Sequence, residues 1–135
     1  MSFQSLETYL SEFQKHKRPG KYNYQWHHHH NGQQHDFHIV ISSIIHGNEV
    51  GSLPAVIKIL KEFHNKQISY GGKLTFTLGN PEASRQDVRF IESDLNRVFL
   101  DTPTIDHETR RAKELMPIFD DCDLLIDLHQ TILSS

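Results

Sequence analysis

Two side chains that can bind a metal ion follow an apolar stretch rich in β-branched residues. Residues 39–45 read Ile-Val-Ile-Ser-Ser-Ile-Ile, and His46 and Glu49 come directly after them, flanked by Gly47 and Gly51. A stretch without polar alternation predicts a strand covered on both faces, as in a parallel or mixed α/β sheet. Glycines permit a sharp turn where the strand ends, and open α/β sheets bind ligands at that edge. Because an imidazole and a carboxylate three residues apart can converge on one zinc ion, His46 and Glu49 are candidate metal ligands.

A third candidate ligand, His129, follows a second apolar stretch, residues 123–128. Asp127 lies two residues before it, and alternate residues of a strand share a face. The carboxylate can therefore orient the imidazole, as in many metal sites. The spacing of His46 and Glu49 is not specific in a chain with 11 histidines. Hydrogen-bonded histidines at two strand ends and a solvated glutamate are the alternative.

A polar segment between these two stretches carries groups that bind anions. Residues 85–99 include Arg89, Asn96 and Arg97. Guanidinium groups bind carboxylates through two hydrogen bonds, and a side-chain amide adds another donor, so this segment is a candidate site for a carboxylate. The alternative is a charged surface helix or loop.

Two further groups of reactive side chains are interpreted as structural. Four consecutive histidines, His27 to His30, precede Asn31 and Gly32, a strong signal for a hairpin turn. Consecutive side chains on a strand point to opposite faces, so this run is expected to bind metals loosely rather than as a specific site. Cys122 lies among three aspartates, which disfavour its thiolate and hence a nucleophilic role.

The first quarter of the chain predicts a helix and a hairpin. Residues 3–13 place four apolar side chains on one helical stripe, and Pro19 with Gly20 ends the helix. Alternating aromatic residues at 22–26 predict a half-buried strand. The turn at residues 31–32 would join it to the strand at 39–45 as an antiparallel pair.

The rest of the chain predicts helices and strands in alternation. Ser52 is a candidate N-cap for a helix that reaches Phe63. Residues 73–78 predict a strand, residues 105–119 a helix, and residues 123–129 a buried strand. Strand, helix and parallel strand form a right-handed crossover unit. We therefore predict the α/β class, with a mixed, mostly parallel sheet flanked by helices.

Composition restricts the classes of function. The 135 residues suffice for one modest domain. A formal net charge of −3 argues against a nucleic-acid partner. One cysteine excludes an intrachain disulfide and fits a reducing, cytoplasmic location. The N-terminus lacks the apolar core of a signal peptide, so neither secretion nor a membrane partner is expected.

Four motifs in a fixed order resemble the succinylglutamate desuccinylase and aspartoacylase family, within the zinc carboxypeptidase-like group. The resemblance spans about residues 39–131. Its motifs are His46-Gly47-Asn48-Glu49; Gly79-Asn80-Pro81-x-Ala83; Arg89-Phe90 followed by Asp94-Leu95-Asn96-Arg97-x-Phe99; and Asp127-Leu128-His129-x-Thr131. One such motif is weak evidence, whereas four in order are strong.

The resemblance implies a fold and a set of roles. The fold is zinc carboxypeptidase-like, with one zinc ion per chain held by His46, Glu49 and His129. Arg89 corresponds to the arginine that polarises the scissile carbonyl. Asn96 and Arg97 correspond to the pair that binds the substrate carboxylate. The implied reaction is hydrolysis of an N-acyl amino acid, of the N-succinylglutamate or N-acetylaspartate type, to a carboxylic acid and an amino acid.

One part of the family pattern is missing. The family's general base is a glutamate after the third zinc ligand, and no such residue follows His129 in this sequence. We therefore expect residues 1–135 to be the N-terminal part of a zinc-hydrolase catalytic domain, incomplete at its C-terminus. Residues 1–21 would form a helix and linker, and residues 22–135 an α/β core. Weak or absent hydrolysis and self-association through uncovered sheet edges are expected.

Two other classes of function remain open at this stage. A zinc carboxypeptidase acting on peptides would use the same residues. A non-catalytic metal-binding module would need only the three ligands.

Overall fold

A four-stranded mixed sheet forms the centre of the computed structural model, which describes residues 1–17, 24–30, 32, 34–100 and 103–131. Its strands are β1 (Gln25–His29), β2 (His38–Ser43), β3 (Lys73–Leu78) and β4 (Leu124–Leu128). The helices are α1 (Phe3–His16), α2 (Leu53–His64), α3 (Pro81–Arg85) and α4 (His107–Asp120), and a 3-10 turn spans Leu95–Arg97. The α/β class predicted from the sequence is confirmed.

Strand β2 lies inside the sheet and pairs in parallel with both β3 and β4. The strand order is β1-β3-β2-β4, and only β1 is antiparallel to its neighbour. The predicted mixed, mostly parallel sheet is therefore confirmed. Because β2, β3 and β4 run in one direction, their carboxyl ends meet at a single edge of the sheet, where α/β proteins bind ligands.

The predicted hairpin between the first two strands is wrong, because β3 lies between β1 and β2. Tyr22 and Asn31, which belong to that prediction, lie outside the described residues. Trp26 is opposite Phe76 in the antiparallel pair, with ring centroids 5.8 Å apart, and both side chains are fully buried. Burial of two large aromatic rings, a long-range effect, therefore favours the pairing of β1 with β3 over its pairing with the next strand along the chain.

Helices cover both faces of the sheet. Helices α1 and α2 pack on one face and α4 on the other. Strand β2 contributes to both layers, because Ile39 and Ile41 contact the first cluster and Val40 the second. The prediction that this strand is covered on both faces is confirmed. None of the described helices combines the length and apolarity needed to cross a membrane.

Strand β4 is less buried than the sequence predicts. It pairs with β2 along one edge, and Leu124, Leu125 and Ile126 are 45%, 41% and 40% exposed. An apolar run predicts a strand but does not encode what packs against it, which is why burial was overestimated. The expected self-association through such an edge stays a prediction.

The serine before α2 does not act as the predicted helix cap. Ser52 occupies the N-cap position but makes no side-chain bond to a helix amide. Its hydroxyl instead pairs with Ser43 Oγ at 2.6 Å. This contact joins the end of β2 to the start of α2, and thereby closes the loop that carries His46 and Glu49.

Loss of core volume under α2 should lower the free energy of unfolding. Leu60 is fully buried, so Leu60→Ala should cost about 2–5 kcal/mol, measured by urea denaturation. The neighbouring Ile59 is 38% exposed, and Ile59→Ala should cost less than about 1 kcal/mol. Equal losses for the two variants would contradict this packing.

Candidate metal centre

The pairing of β2 with β4 brings two histidines together at the carboxyl edge of the sheet. Ser43 and Leu128 are opposite each other at the ends of these strands, and His46 and His129 follow closely. The two imidazole centroids lie 5.2 Å apart. The chain reaches His46 through Ile44, whose φ of 51° is rare for a β-branched residue. Strained backbone of this kind clusters at functional sites.

Glu49 lies between the two imidazoles. Its Oε2 is 2.9 Å from His129 Nδ1 and 3.3 Å from His46 Nδ1. Ligand atoms of all three residues lie within 4.8 Å of one another. Atoms bound at 2.0–2.1 Å to a tetrahedral metal are about 3.3 Å apart, so small shifts would let the three share one ion. His46 and Glu49 are buried and His129 is partly exposed, which leaves one side open.

A carboxylate fixes the far nitrogen of each imidazole. His46 Nε2 donates to Asp94 Oδ1 at 2.9 Å, and His129 Nε2 donates to Asp127 Oδ2 at 2.7 Å. Each ring therefore turns Nδ1 toward Glu49, as a metal ligand requires. The predicted contact between Asp127 and His129 is present. Sequence reasoning missed the role of Asp94, because this residue is 48 positions away from the histidine that it contacts.

These contacts shift the pKa values of the cluster. Burial works to raise the pKa of Glu49, but hydrogen bonds and charge from both histidines lower it overall. Burial works to lower the pKa of His129, but Glu49 and Asp127 raise it overall. Burial works to raise the pKa of Asp94, but the bonds and charge from His46, with the bonds from the Asn96 amide and Arg89, together lower it overall. A cation must replace a proton on His129, so cation affinity should rise as pH rises through the pKa of that imidazole.

The residues predicted to bind an anion divide into two groups. Arg89 Nε donates to Asp94 Oδ2 at 3.3 Å, so one carboxylate contacts both this guanidinium and His46. Asn96 and Arg97 lie on the next 3-10 turn and are exposed. The amide of Asn96 donates to Asp94 Oδ1 at 3.0 Å, which fixes the start of that turn. The structure therefore brings Arg89 to the cluster and presents Asn96 and Arg97 to solvent beside it.

The glycines of the β2 loop allow close packing rather than unusual backbone angles. Neither Gly47 nor Gly51 has a positive φ, so the predicted reason for their presence is wrong. A Cβ on Gly47 would lie 2.5 Å from Ala83 Cβ, and Gly47 N donates to Arg89 O at 3.0 Å. Gly51 N donates to Gln130 Oε1 at 2.9 Å. Both positions thus connect the metal-candidate loop to neighbouring segments.

Comparison with protein families identifies a family model that matches most of the chain. The family described as the succinylglutamate desuccinylase/aspartoacylase catalytic domain matches residues 36–135. The chain belongs to this family. The fold that the resemblance implies is also confirmed, because the chain superposes on solved succinylglutamate desuccinylases, which have the zinc carboxypeptidase-like fold.

Known members of the family are similar to this chain over part of their length. A probable aspartoacylase of Prochlorococcus marinus subsp. pastoris is 37% identical over 99 residues, covering 69% of this chain and 33% of that protein. A succinylglutamate desuccinylase of Pseudomonas paraeruginosa is 34% identical over 61 residues, covering 45% and 18%. The solved succinylglutamate desuccinylase of Vibrio parahaemolyticus has a TM-score of 0.70 and 26% identity, covering 82% and 36%. The chain therefore spans about a third of these relatives, or less.

In this member of the family, the other reactive groups lie apart from the metal-candidate residues. His27 Nδ1 pairs with Thr75 Oγ1 at 2.9 Å, and His28 Nε2 donates to Tyr70 O at 3.3 Å. Within the described part of the chain, no group able to hold a metal includes a histidine of the 27–30 run. Burial, followed by the adjacent aspartates, raises the pKa of the Cys122 thiol, in the predicted direction.

A methyl group added to the metal-candidate loop should destabilise the protein. Gly47→Ala should cost about 1–3 kcal/mol of unfolding free energy, because the added Cβ overlaps Ala83. Gly71→Ala is the matched control, since its nearest neighbours lie 3.7 Å away, and it should stay within about 0.5 kcal/mol of the parent. Urea denaturation measures both, and an unchanged Gly47→Ala variant would contradict the packing of this loop.

Proposed function

We propose that His46, Glu49 and His129 hold one zinc ion and that the site serves hydrolysis of the amide bond of an N-acyl amino acid. The observation that carries the proposal is the convergence of the three ligand atoms, within 4.8 Å of one another, while carboxylates occupy the far nitrogen of both imidazoles. Two imidazoles and one carboxylate with an open side are the donor set of catalytic zinc. When bound, zinc supplies Lewis-acid chemistry, which activates water near neutral pH and polarises a carbonyl.

Arg89 is the residue proposed to stabilise the oxyanion that develops on the scissile carbonyl. Its Nε contacts Asp94, which leaves the rest of the guanidinium edge for a substrate oxygen. A donor aimed at a developing oxyanion is worth about 3–4 kcal/mol of barrier. The contact with Asp94 limits the orientations open to Arg89, which lowers the entropy lost when it binds a substrate.

Asn96 and Arg97 are proposed to bind the carboxylate of the amino-acid portion. Both are exposed on a turn in which the Asn96 amide donates to Asp94 Oδ1. A guanidinium and an amide offer the bidentate and single donors that a carboxylate accepts. The acyl group is assigned only as a class, by the names of the relatives, which are succinylglutamate desuccinylases and probable aspartoacylases.

Residues 1–135 are proposed to belong to the N-terminal part of the catalytic domain. The general base that the family resemblance implies is not among these residues. General acid–base help contributes about 10²–10⁴-fold, so weak or no turnover is expected from these residues alone. Binding of metal and ligand is therefore a more direct test than catalysis.

Zinc stoichiometry tests the metal site. In a chain with His27 to His30 changed to serine, one zinc per chain is expected by isothermal titration and metal analysis. His129→Ala should weaken binding at least about 100-fold, because two ligands hold zinc far less tightly than three. His64→Ala, an exposed histidine on α2, is the control and should bind zinc like the parent. Equal zinc binding in the His129→Ala variant would contradict the proposed ligand set.

Ligand preference separates the acylase function from the carboxypeptidase alternative. The zinc-loaded chain should bind N-acetylaspartate or N-succinylglutamate more tightly than a blocked dipeptide. Arg97→Ala should weaken that binding about 10-fold or more, since it removes a charged donor to carboxylate. Arg110→Ala, on the exposed side of α4, should have little effect. Preference for the dipeptide would favour a carboxypeptidase, and binding of neither ligand would favour a metal-binding module.

A further inference from the structure

The buried carboxylate of Glu108 lies outside the metal-candidate cluster. Glu108 is the second residue of α4 and has no exposed surface. Ionised side chains are rarely buried completely unless hydrogen bonds satisfy them, because removal from water is costly. The pKa of Glu108 is nevertheless lowered, since burial, which acts to raise it, is outweighed by bonds from three backbone amides and Asn80.

Three consecutive backbone amides donate to this one carboxylate. Ile91 N donates to Oε1 at 2.6 Å, and Glu92 N and Ser93 N donate to Oε2 at 3.0 and 3.1 Å. Residues 86–94 contain no helix or strand, so these amides have no partners in regular secondary structure. Glu108 therefore supplies the acceptors that hold this loop in one conformation.

The loop held by Glu108 ends on two groups of the metal centre. Arg89 lies two residues before the first of the three amides, and Asp94 directly follows the last. Asp94 contacts both His46 Nε2 and Arg89 Nε. A shift of the loop would therefore change the orientation of His46, a candidate metal ligand, together with that of the Arg89 guanidinium.

Asn80 extends the same arrangement to the loop after β3. Its Nδ2 donates to Glu108 Oε1 at 3.2 Å, and its Oδ1 accepts from Ala83 N at 3.3 Å. Asn80 is itself fully buried. The carboxylate of Glu108 thus joins the end of β3, the loop that bears Arg89, and the start of α4.

We propose that Glu108 is a positioning residue that sets the placement of Asp94 and Arg89 relative to His46, an inference that rests on the proposed function. Glu108 acts through the loop and touches neither metal nor substrate. A second cation site is an alternative use of the acidic group formed by Glu92, Asp106 and Glu108. The hydrogen bonds of Glu108 conflict with this alternative. Both oxygens of Glu108 already accept from N–H donors, which a cation would have to displace.

The variant Glu108→Gln tests the proposal, because it keeps the shape of the side chain but removes the charge and one acceptor oxygen. Amide hydrogen exchange at residues 91–93 should become at least about 10-fold faster, while amides of β2 and β3 keep their protection. Zinc affinity should fall about 10-fold or more, as when partners of metal-bound histidines are removed. Glu114→Gln, on the exposed part of the same helix, should change neither quantity.

A spectroscopic signal separates this proposal from the proposed function. In the unsubstituted chain, His46 should show a slowly exchanging Nε2–H resonance, due to its bond with Asp94, that is lost in Glu108→Gln and kept in Glu114→Gln. If the unsubstituted chain binds no zinc, the proposed function fails, and this resonance alone decides the role of Glu108. Faster exchange at 91–93 with an unchanged resonance and unchanged zinc affinity would overturn the proposal.

The unsubstituted chain provides a test that does not depend on folding of the variant. Amides 91–93 should exchange at least about 10-fold more slowly than those of residues 69–71, another stretch without helix or strand. If Glu108→Gln does not fold, this comparison still decides whether the loop is held. Rapid exchange at all three amides of the unsubstituted chain would overturn the proposal.

Discussion

The parallel pairing of β2 with β4 is the constraint on which the rest of this structure depends. The two strands are far apart in sequence, and their register places Ser43 opposite Leu128. Only this register lets the residues that follow, His46 and His129, reach the same carboxylate. A slip by one residue would turn every side chain of β4 to the opposite face and would remove His129 from Glu49.

Carboxylates organise the site at successive distances from its centre. Glu49 contacts both imidazoles, Asp94 and Asp127 hold their far nitrogens, and Glu108 holds the backbone that presents Asp94. All these bonds involve a charged partner, which makes them stronger than bonds between neutral groups. The pKa values of Glu49, Asp94 and Glu108 are lowered, because hydrogen bonds, with the charge of nearby histidines at Glu49 and Asp94, together outweigh burial. These bonds supply fixed partners to a loop region that contains little regular structure.

Sequence patterns predicted the fold class, because the apolar stretch of β2 and the amphipathic helices carry strong local signals. They did not predict that β1 pairs with β3, since the burial of Trp26 against Phe76 depends on contacts 50 residues apart. The family motifs indicated His46, Glu49 and His129, and the structure brings these three together. Asp94 belongs to one of these motifs, but no role was assigned to it, and Glu108 lies outside the motifs. Their importance comes from partners that only the folded chain brings near, namely an imidazole and three loop amides.

The position of Glu49 between two imidazoles has a consequence for the exchange of metal. Hydrogen bonds to one carboxylate oxygen hold the three proposed ligands within a few ångströms of one another. A cation bound at the proposed site would therefore replace protons on side chains that are already assembled. These side chains become ordered when the chain folds, so little further conformational entropy would be lost when a metal binds. A cluster assembled in this way is preorganised, and a cation could enter it without rearrangement of the sheet edge.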